Sequence, residues 1–322
     1  MSQLQSNKEK YRLFCETHRD VPLFLQPWYM DAVCKKNDWW KVFLYEKNNE
    51  IRGVFVCYFT RKAGIKFIIQ PMFTQYNGIW LIYDETMSAE EKLSFEKKAI
   101  TNLIQQLDNT GFDYLNQNFP PNFQNWLPLF WQGYKQSTRY SYRISDISNP
   151  DVCFKNFSYA KQKQIRKAGK KLHVSFEMSG EEFYNHLSDY FKARNENVIF
   201  SKNLFLKFYD ACEKRNQGTV ISVVDAEGTV HAALFVVWDA NSAYNLISSI
   251  HPLHKSSGGS TLVVFEAIKY FSNIVPVFDF EGSMEKNIEN SFSQFGTEQL
   301  SYFNIKKYNS LISSLLFPVM KL

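Results

Sequence analysis

The sequence predicts an α/β (α+β) fold made of two similar units, each with a mixed, largely antiparallel central sheet flanked by helices. The chain has 322 residues, enough for two domains of ordinary size, and 45% of its residues are hydrophobic, enough for a sizeable core. A β-hairpin pattern occurs twice. Each hairpin is followed by a further strand, a loop and a helix, and this repeated order indicates a tandem duplication.

Each hairpin consists of two runs rich in β-branched and aromatic residues, separated by a turn of Asn-Asn-Glu or Ala-Glu-Gly. The four predicted strands are residues 41–47, 51–60, 220–225 and 229–238. The helices that follow are predicted over residues 88–107 and 259–271, since polar residues that favour helix starts precede apolar residues at helical spacing. Three more helices are expected between the hairpins, over residues 154–171, 180–194 and 203–215.

The match between the halves continues after these helices. Each half has a buried strand, then a short helix that ends in an aromatic residue and a glycine, then a closing strand. The segments are residues 111–115, 129–134 and 140–144 in the first half, and 277–281, 292–296 and 302–307 in the second. We therefore expect an N-terminal unit over residues 1–145 and a C-terminal unit over residues 146–322, with the changeover in the polar stretch 145–151.

Composition narrows the functional classes. The net charge of +5 is smaller than a dedicated DNA-binding protein usually carries, and it suits an anionic small molecule. The five cysteines show no Cys-x-x-Cys spacing, which favours reduced thiols. We see no secretory leader pattern and no apolar run long enough to span a membrane. We therefore expect a cytoplasmic protein without a membrane span. The sequence does not predict its oligomeric state.

A serine- and glycine-rich loop precedes the helix predicted at residues 259–271. Glycines there let the backbone approach a ligand, and the free N–H groups of a first helical turn suit a phosphate. The alternative is a flexible loop with an ordinary serine cap. The candidate donor-binding residues are Lys255, Ser256, Ser257, Gly258, Gly259 and Ser260.

A basic stretch at residues 160–171 provides a second candidate site. Four of its cations, spaced i, i+3, i+4 and i+7, would share one helix face and would bind a phosphorylated acceptor, a donor phosphate or an RNA backbone. The alternative is a solvated surface helix. These four residues are Lys163, Arg166, Lys167 and Lys170.

The segment Asp279-Phe280-Glu281-Gly282-Ser283 follows a β-run and precedes a helix. Transfer of an acyl group to an amine requires a base for the amine proton, and Asp279 or Glu281 would take it, with Ser283 as a cap or hydrogen-bond donor. Tyr244 and Tyr302 are candidate acids for the leaving thiolate. The alternative for the two carboxylates is structural pairing. His251 and His254 are spaced for a shared metal, but the loop offers no third ligand, so no metal site is predicted.

The loop Lys255-Ser256-Ser257-Gly258-Gly259-Ser260 resembles the pyrophosphate-binding loop of the GNAT acyltransferase superfamily, with pattern (Gln/Arg)-x-x-Gly-x-(Gly/Ala). Gly258 aligns with the first glycine, while Lys255 and Ser260 stand at the other two positions. The chain as a whole resembles the Fem-type peptidoglycan-bridge transferases, which are tandem GNAT proteins. The residues that carry this likeness are 26–30 (QPWYM), 70–76 (QPMFTQY), 164–170 (QIRKAGK) and 278–283 (FDFEGS).

The resemblance implies tandem GNAT-like units and an N-acyltransferase that uses acetyl-CoA or another acyl-CoA as co-substrate. The acceptor would be an amine of a small molecule or a cell-envelope precursor. The first half has only Tyr76-Asn77-Gly78 at its equivalent loop, so we expect it to shape the acceptor side. Two alternatives remain: transfer from aminoacyl-tRNA, with tRNA as partner, and a non-catalytic binding protein that keeps the fold.

Overall fold

The computed structural model describes residues 3–309, with side chains from residue 6 onward. The helices are α1 (Gln3–Thr17), α2 (Pro27–Val33), α3 (Ala89–Asp108), α4 (Leu127–Trp131), α5 (Pro150–Asn156), α6 (Tyr159–Ala168), α7 (Gly180–Lys192), α8 (Lys202–Glu213), α9 (Gly259–Phe271) and α10 (Lys286–Ser293). The strands are β1 (Trp39–Lys47), β2 (Glu50–Lys62), β3 (Ile65–Ile69), β4 (Gly78–Leu81), β5 (Tyr114–Asn118), β6 (Lys135–Ile144), β7 (His173–Ser175), β8 (Gly218–Val224), β9 (Val230–Trp238), β10 (Ser242–Ile250), β11 (Val277–Asp279) and β12 (Glu298–Tyr308).

The chain divides into two compact units, each with its own apolar core. The first runs from Met1 to Arg139 and also includes Ser301–Leu322; the second is Tyr140–Leu300. This division by contacts differs from a cut after residue 145. The expected units over residues 1–145 and 146–322 stay a prediction.

In the first unit the strand order is β1-β2-β3-β5-β12, and β4 pairs with β2 as well. The pairs β1–β2, β2–β3 and β5–β12 are antiparallel, while β3–β5 is parallel. Helix α3 covers a core that includes Phe55, Leu103 and Leu115. The helix starts where Ser88 accepts from the Glu91 amide and Glu91 accepts from the Ser88 amide, which is a capping box.

The second unit repeats this plan with the order β6-β11-β10-β9-β8-β7. Strands β8, β9 and β10 are antiparallel, and β11 then runs parallel to β10. Helix α9 covers a core that includes Val236, Val263 and Phe278. The predicted mixed, largely antiparallel sheets with flanking helices are therefore confirmed.

The two strands predicted to close the halves, β6 and β12, each pair with a strand of the other half of the sequence. The end of β6 pairs antiparallel with β11 in the second unit, through Ile144 opposite Phe278. Strand β12 pairs antiparallel with β5 in the first unit, through Asn304 opposite Asn118. Hydrophobic periodicity identifies both as strands but carries no information about which neighbour each one pairs with.

The single helix expected over residues 154–171 is wrong, because the structure has two helices there. Phe157 is extended, and Ser158 caps α6 by accepting from the Lys161 amide. A Ser cap competes with helix continuation because its side chain bonds the backbone locally. Gly169 ends α6, so Lys170 follows the helix and does not extend its face.

Among the residues that the structure describes, none of the helices has the length and apolarity needed to cross a bilayer.

Candidate functional site

The two parallel strands of the second unit separate after a short run, which opens a gap in the sheet. Strands β10 and β11 are paired only through three residue pairs, ending at Tyr244 opposite Asp279. Strand β10 then has a bulge between Asn245 and Ile247 and continues to Ile250 beside β9. After Asp279 the chain turns to β6, since the Phe280 amide donates to Tyr142 O at 2.8 Å. The β11 side of β10 therefore loses its strand partner beyond Tyr244.

Asp279 and Tyr244 lie side by side where the gap begins, and both are buried. Asp279 Oδ1 accepts from Ser141 Oγ at 2.8 Å and from the Glu281 amide at 2.7 Å. Tyr244 donates to Asp239 Oδ2 at 3.3 Å. Burial, followed by the charges of Asp239 and Asp279, raises the pKa of Tyr244 well above its usual value, so its hydroxyl keeps its proton.

Glu281 has the most unusual environment of the predicted acids and bases. Its backbone has a left-handed φ of 61°, which is strained for a residue with a side chain. Its Oε1 is shielded from solvent and has no hydrogen-bond partner among the described residues. Burial, together with the nearby charge of Asp279, raises the pKa of Glu281 well above its usual value. Glu281 therefore holds its proton into a higher pH range than an ordinary glutamate does.

Ser283 lies in the loop between these carboxylates and α10. Its Oγ accepts from the Glu285 amide at 3.0 Å, and Glu285 itself occupies the cap position of α10. The hydroxyl orders the loop and does not cap the helix directly. Gly282, with φ 60°, packs so closely on β6 that an added Cβ would lie 2.2 Å from Tyr140 O. The loop conformation therefore depends on glycine at this position.

The serine- and glycine-rich loop leads directly into α9, as predicted. Gly258 has φ 82° and forms the N-cap of α9. The Gly259 amide donates to Ser257 Oγ at 3.1 Å. The Ser260 amide, in the first helical turn, donates to no other group in the described part of the chain. Ser256 and Lys255 are exposed, while Ser260 is half-buried. The helix start offers a free amide and its positive dipole end to an anion.

The structure brings this loop together with the basic helix α6. A Cβ on Gly258 would lie 3.2 Å from Gln164 O and 3.3 Å from Ala168 Cβ, so only glycine fits without displacement. Thr261 Oγ1 donates to Gln164 Oε1 at 2.8 Å, which ties the first turn of α9 to α6. Two segments predicted separately from sequence are thus one structural feature.

The four cations predicted as binding residues are all exposed. Arg166 bonds Gln162 Oε1 at 3.2 Å and lies over the Phe154 ring. Within residues 6–309 no carboxylate forms an ion pair with Lys163, Arg166, Lys167 or Lys170. A basic surface without internal counter-ions beside a helix start is suited to phosphate groups.

The corresponding position in the first unit is closed. Strands β3 and β5 are parallel, but the loop after β3 bonds the end of β5 on three sides. The Asn118 amide donates to Gln70 Oε1 at 3.0 Å, the Asn118 side chain donates to Gln75 O at 3.2 Å, and the Asn77 amide donates to Asn118 O at 2.7 Å. The loop after β3 therefore fills the position that corresponds to the gap beside β10 in the second unit.

Sequence reasoning missed a group of histidines near the serine- and glycine-rich loop. The ring centroids of His251 and His254 are 4.7 Å apart, and those of His254 and His231 are 4.0 Å apart. His231 Nε2 lies 2.9 Å from Asp225 Oδ2, and His186 lies 6.0 Å from His251. The residues come from four separate elements, so only His251-x-x-His254 left a signal in the sequence. No group of described residues is arranged to hold a metal ion.

A cavity of about 1080 Å³ lies beside these histidines, between β7 and α7. His186 and His251 line it, together with the carboxylates of Glu177, Glu182 and Asp189, and the lining contains no Lys or Arg. Burial lowers the pKa of both histidines, which favours their neutral forms. The cavity therefore suits a neutral or cationic ligand and not a phosphate.

Solved structures share this architecture at low sequence identity. FemX has a TM-score of 0.72 at 12% identity, with 96% of this chain and 98% of FemX covered. A tandem GNAT protein from the clavulanic acid biosynthesis pathway has a TM-score of 0.55 at 8% identity, with 96% of both chains covered. The chain has the tandem GNAT fold.

A third structure with the GNAT fold is the C-terminal domain of a putative lysylphosphatidylglycerol synthetase from Agrobacterium fabrum. Its TM-score is 0.58 at 8% identity, with 97% of this chain and 95% of that chain covered. No protein-family model matches the chain. No curated protein matches it either. The predicted Fem-like tandem GNAT fold is confirmed.

Proposed function

We propose that the protein is an N-acyltransferase that moves an acyl group from a CoA-type thioester to an amine. The acceptor is an amine of a small molecule or of a cell-envelope precursor. The observation that carries the proposal is the junction of α9 with α6. There a free helical amide and four exposed cations without ion pairs lie at the end of a strand that is open on one side.

The donor phosphates would bind at Ser260 and the loop Lys255–Gly259, with Lys163, Arg166, Lys167 and Lys170 as counter-charges. Glycine at Gly258 and Gly259 lets the backbone lie close to the ligand. The acyl chain would then follow the open side of β10 toward Tyr244 and Asp279. Hydrogen bonding along an unpaired strand edge is the usual way in which such an edge holds an extended ligand.

At the thioester, the acceptor amine attacks the carbonyl carbon, a C–N bond forms, and the C–S bond breaks. The attacking nitrogen must lose a proton, and Glu281 is the base we assign, because burial raises its pKa well above the usual value and so makes its carboxylate a stronger base than that of an ordinary glutamate. The Asp279 carboxylate accepts a hydrogen bond from the Glu281 backbone amide and so fixes the position of Glu281. Tyr244 keeps its proton and serves as hydrogen-bond donor to the oxyanion or thiolate. Ser283 orders the loop that carries Glu281.

Calorimetric titration with CoA and acetyl-CoA tests the donor site. We expect saturable binding that Ser260→Glu weakens at least about 10-fold, because its carboxylate repels phosphate. An acidic residue in the first turn also stabilises the helix, so the fold should persist. Lys97→Glu is the matched control, since Lys97 is an exposed cation on α3 of the first unit. If no CoA thioester binds the wild-type protein, the donor assignment is wrong.

Aminoacyl-tRNA is the alternative donor, and the exposed cations of α6 favour it. Filter binding of charged tRNA at several salt concentrations separates the two donors. A steep loss of tRNA affinity with salt, reduced in slope by Lys163→Gln with Lys167→Gln, would indicate backbone contacts. Binding of CoA without turnover in any acyl-acceptor screen would instead indicate a binding protein that has kept the fold.

A further inference from the structure

Lys161 differs from every other cation of α6 in its surroundings. It lies in the first helical turn, where its amide donates to the cap residue Ser158. Its Nζ donates to Ser291 Oγ of α10 at 3.0 Å and lies 4.4 Å from the centroid of the Phe295 ring. The side chain is half-buried, whereas Lys163 and Lys167 are exposed. An aromatic ring and a neutral hydroxyl thus surround this amine.

No acidic group balances the charge of Lys161. Within residues 6–309 no carboxylate lies within ion-pair distance of its Nζ. The positive end of the α6 dipole also disfavours a cation in this turn. Burial alone lowers the pKa of Lys161 to about 8, and no neighbouring titratable group contributes to that shift. A substantial share of the side chain is therefore a free amine at physiological pH, and a free amine is a nucleophile.

We propose that Lys161 is a site of covalent N-acylation, where its ε-amine takes an acyl group from an activated acyl compound such as an acyl phosphate or a thioester. The thioester route rests on the function proposed above, while the acyl phosphate route does not. In either route the nitrogen lone pair attacks the carbonyl carbon and an amide C–N bond forms. The phosphate or thiolate leaves with the bonding electrons, and the amine proton goes to solvent.

Acylation would change local packing in a defined way. The amide product carries no charge, so the unpaired cation over Phe295 disappears. The nitrogen keeps one hydrogen for Ser291 Oγ. Acylation gives up the attraction between the ammonium and the Phe295 ring, but it also removes the cost of burying the charge, which the exposed Lys163 and Lys167 do not incur. We therefore expect acylation to be favoured at Lys161.

The test measures acetylation rates of individual lysines by peptide mass spectrometry, with the full chain and acetyl phosphate between pH 6 and pH 10. At pH 7.5 the free-amine fraction of Lys161 exceeds that of an ordinary lysine about 200-fold. Its lower basicity offsets part of this, so we expect acetylation at least about 10-fold faster than at Lys163 or Lys167. The Lys161 rate should level off above pH 8, while the other two continue to rise. Equal rates at the three lysines would overturn the proposal.

Two variants of α10 test the cause. Ser291→Asp places a carboxylate beside Nζ, which stabilises the ammonium form and should slow Lys161 acetylation at pH 7.5 about 10-fold. Ser293→Asp is the control, because Ser293 is exposed on the same helix and bonds Asn290 O; it should leave the rate unchanged. If Ser291→Asp has no effect, burial without a counter-charge is not the source of the reactivity.

Acetyl-CoA supplies the second arm of the experiment. Acetylation of Lys161 by acetyl phosphate but not by acetyl-CoA supports the site and counts against the proposed donor. Acetylation by both, with Ser260→Glu slowing only the acetyl-CoA reaction, supports both. If CoA binds but Lys161 resists both reagents, the modification site is wrong and the transferase proposal stands.

Discussion

Substituting Gly282 with alanine should be strongly destabilising, and the structure sets the scale of the effect. Two costs add at this position. The left-handed backbone, with φ 60°, costs a residue with a Cβ about 1–2 kcal/mol. The new Cβ would lie 2.2 Å from Tyr140 O and 2.4 Å from Ser141 Cα, and both atoms belong to the backbone of β6, which cannot rotate away. Forced displacement of packed structure adds about 1–3 kcal/mol, so we expect a total of about 2–5 kcal/mol.

Gly228→Ala is the matched control, because Gly228 has φ 83° and nothing within 4 Å of its added Cβ. It should incur the backbone cost alone, about 1–2 kcal/mol. Urea unfolding followed by tryptophan fluorescence and circular dichroism measures both variants. A free energy of unfolding for Gly282→Ala within about 1 kcal/mol of Gly228→Ala would show that the contact with β6 is not tight. CoA binding by the folded fraction of Gly282→Ala should persist, since α9 and α6 are untouched.

Two further predictions concern titration and helix capping. Glu281→Gln should lower acyl transfer about 100-fold at unchanged CoA affinity, measured by steady-state kinetics. The pKa of Glu281 is raised in the folded protein, so the free energy of unfolding of the wild type should fall as pH rises above the pKa of an ordinary glutamate. Glu281→Gln should remove that fall. If the variant and the wild type show the same pH dependence of stability, Glu281 is solvated. Ser179→Ala breaks the capping box of α7 and should cost about 1 kcal/mol in urea unfolding, whereas Ser272→Ala, at the far end of α9, should cost less.

Local sequence patterns predicted most helices and strands, because caps, turns and apolar spacing within each segment determine where it starts and ends. The helix Gly259–Phe271 was predicted to the residue, since a left-handed glycine and the following apolar face determine its start and length. The break between α5 and α6 was missed, because the cations and apolar residues keep helical spacing across Ser158. Only the capping bond to the Lys161 amide distinguishes a new helix from a continued one.

Local sequence patterns also predicted the separate segments of the candidate site, but not how these segments contact each other. The loop and the basic stretch were each visible, but their contact through Gln164 and Thr261 depends on tertiary packing. The different surroundings of Asp279 and Glu281 were not predictable, since both lie in one short motif. Asp279 accepts a hydrogen bond from Ser141, whereas Glu281 is buried in a left-handed turn, and no spacing rule indicates either. The histidine group escaped detection because its members are far apart in sequence.

The exchange of closing strands has a consequence for how the protein reaches its native state. The Asn304 side chain bonds Asn118 across a separation of 186 residues. During synthesis β5 lacks its partner β12 until residues 298–308 have left the ribosome. Pairing over such a span is slow because a long loop must close first. A fragment ending near residue 145 would therefore expose a bare strand edge and be prone to self-association.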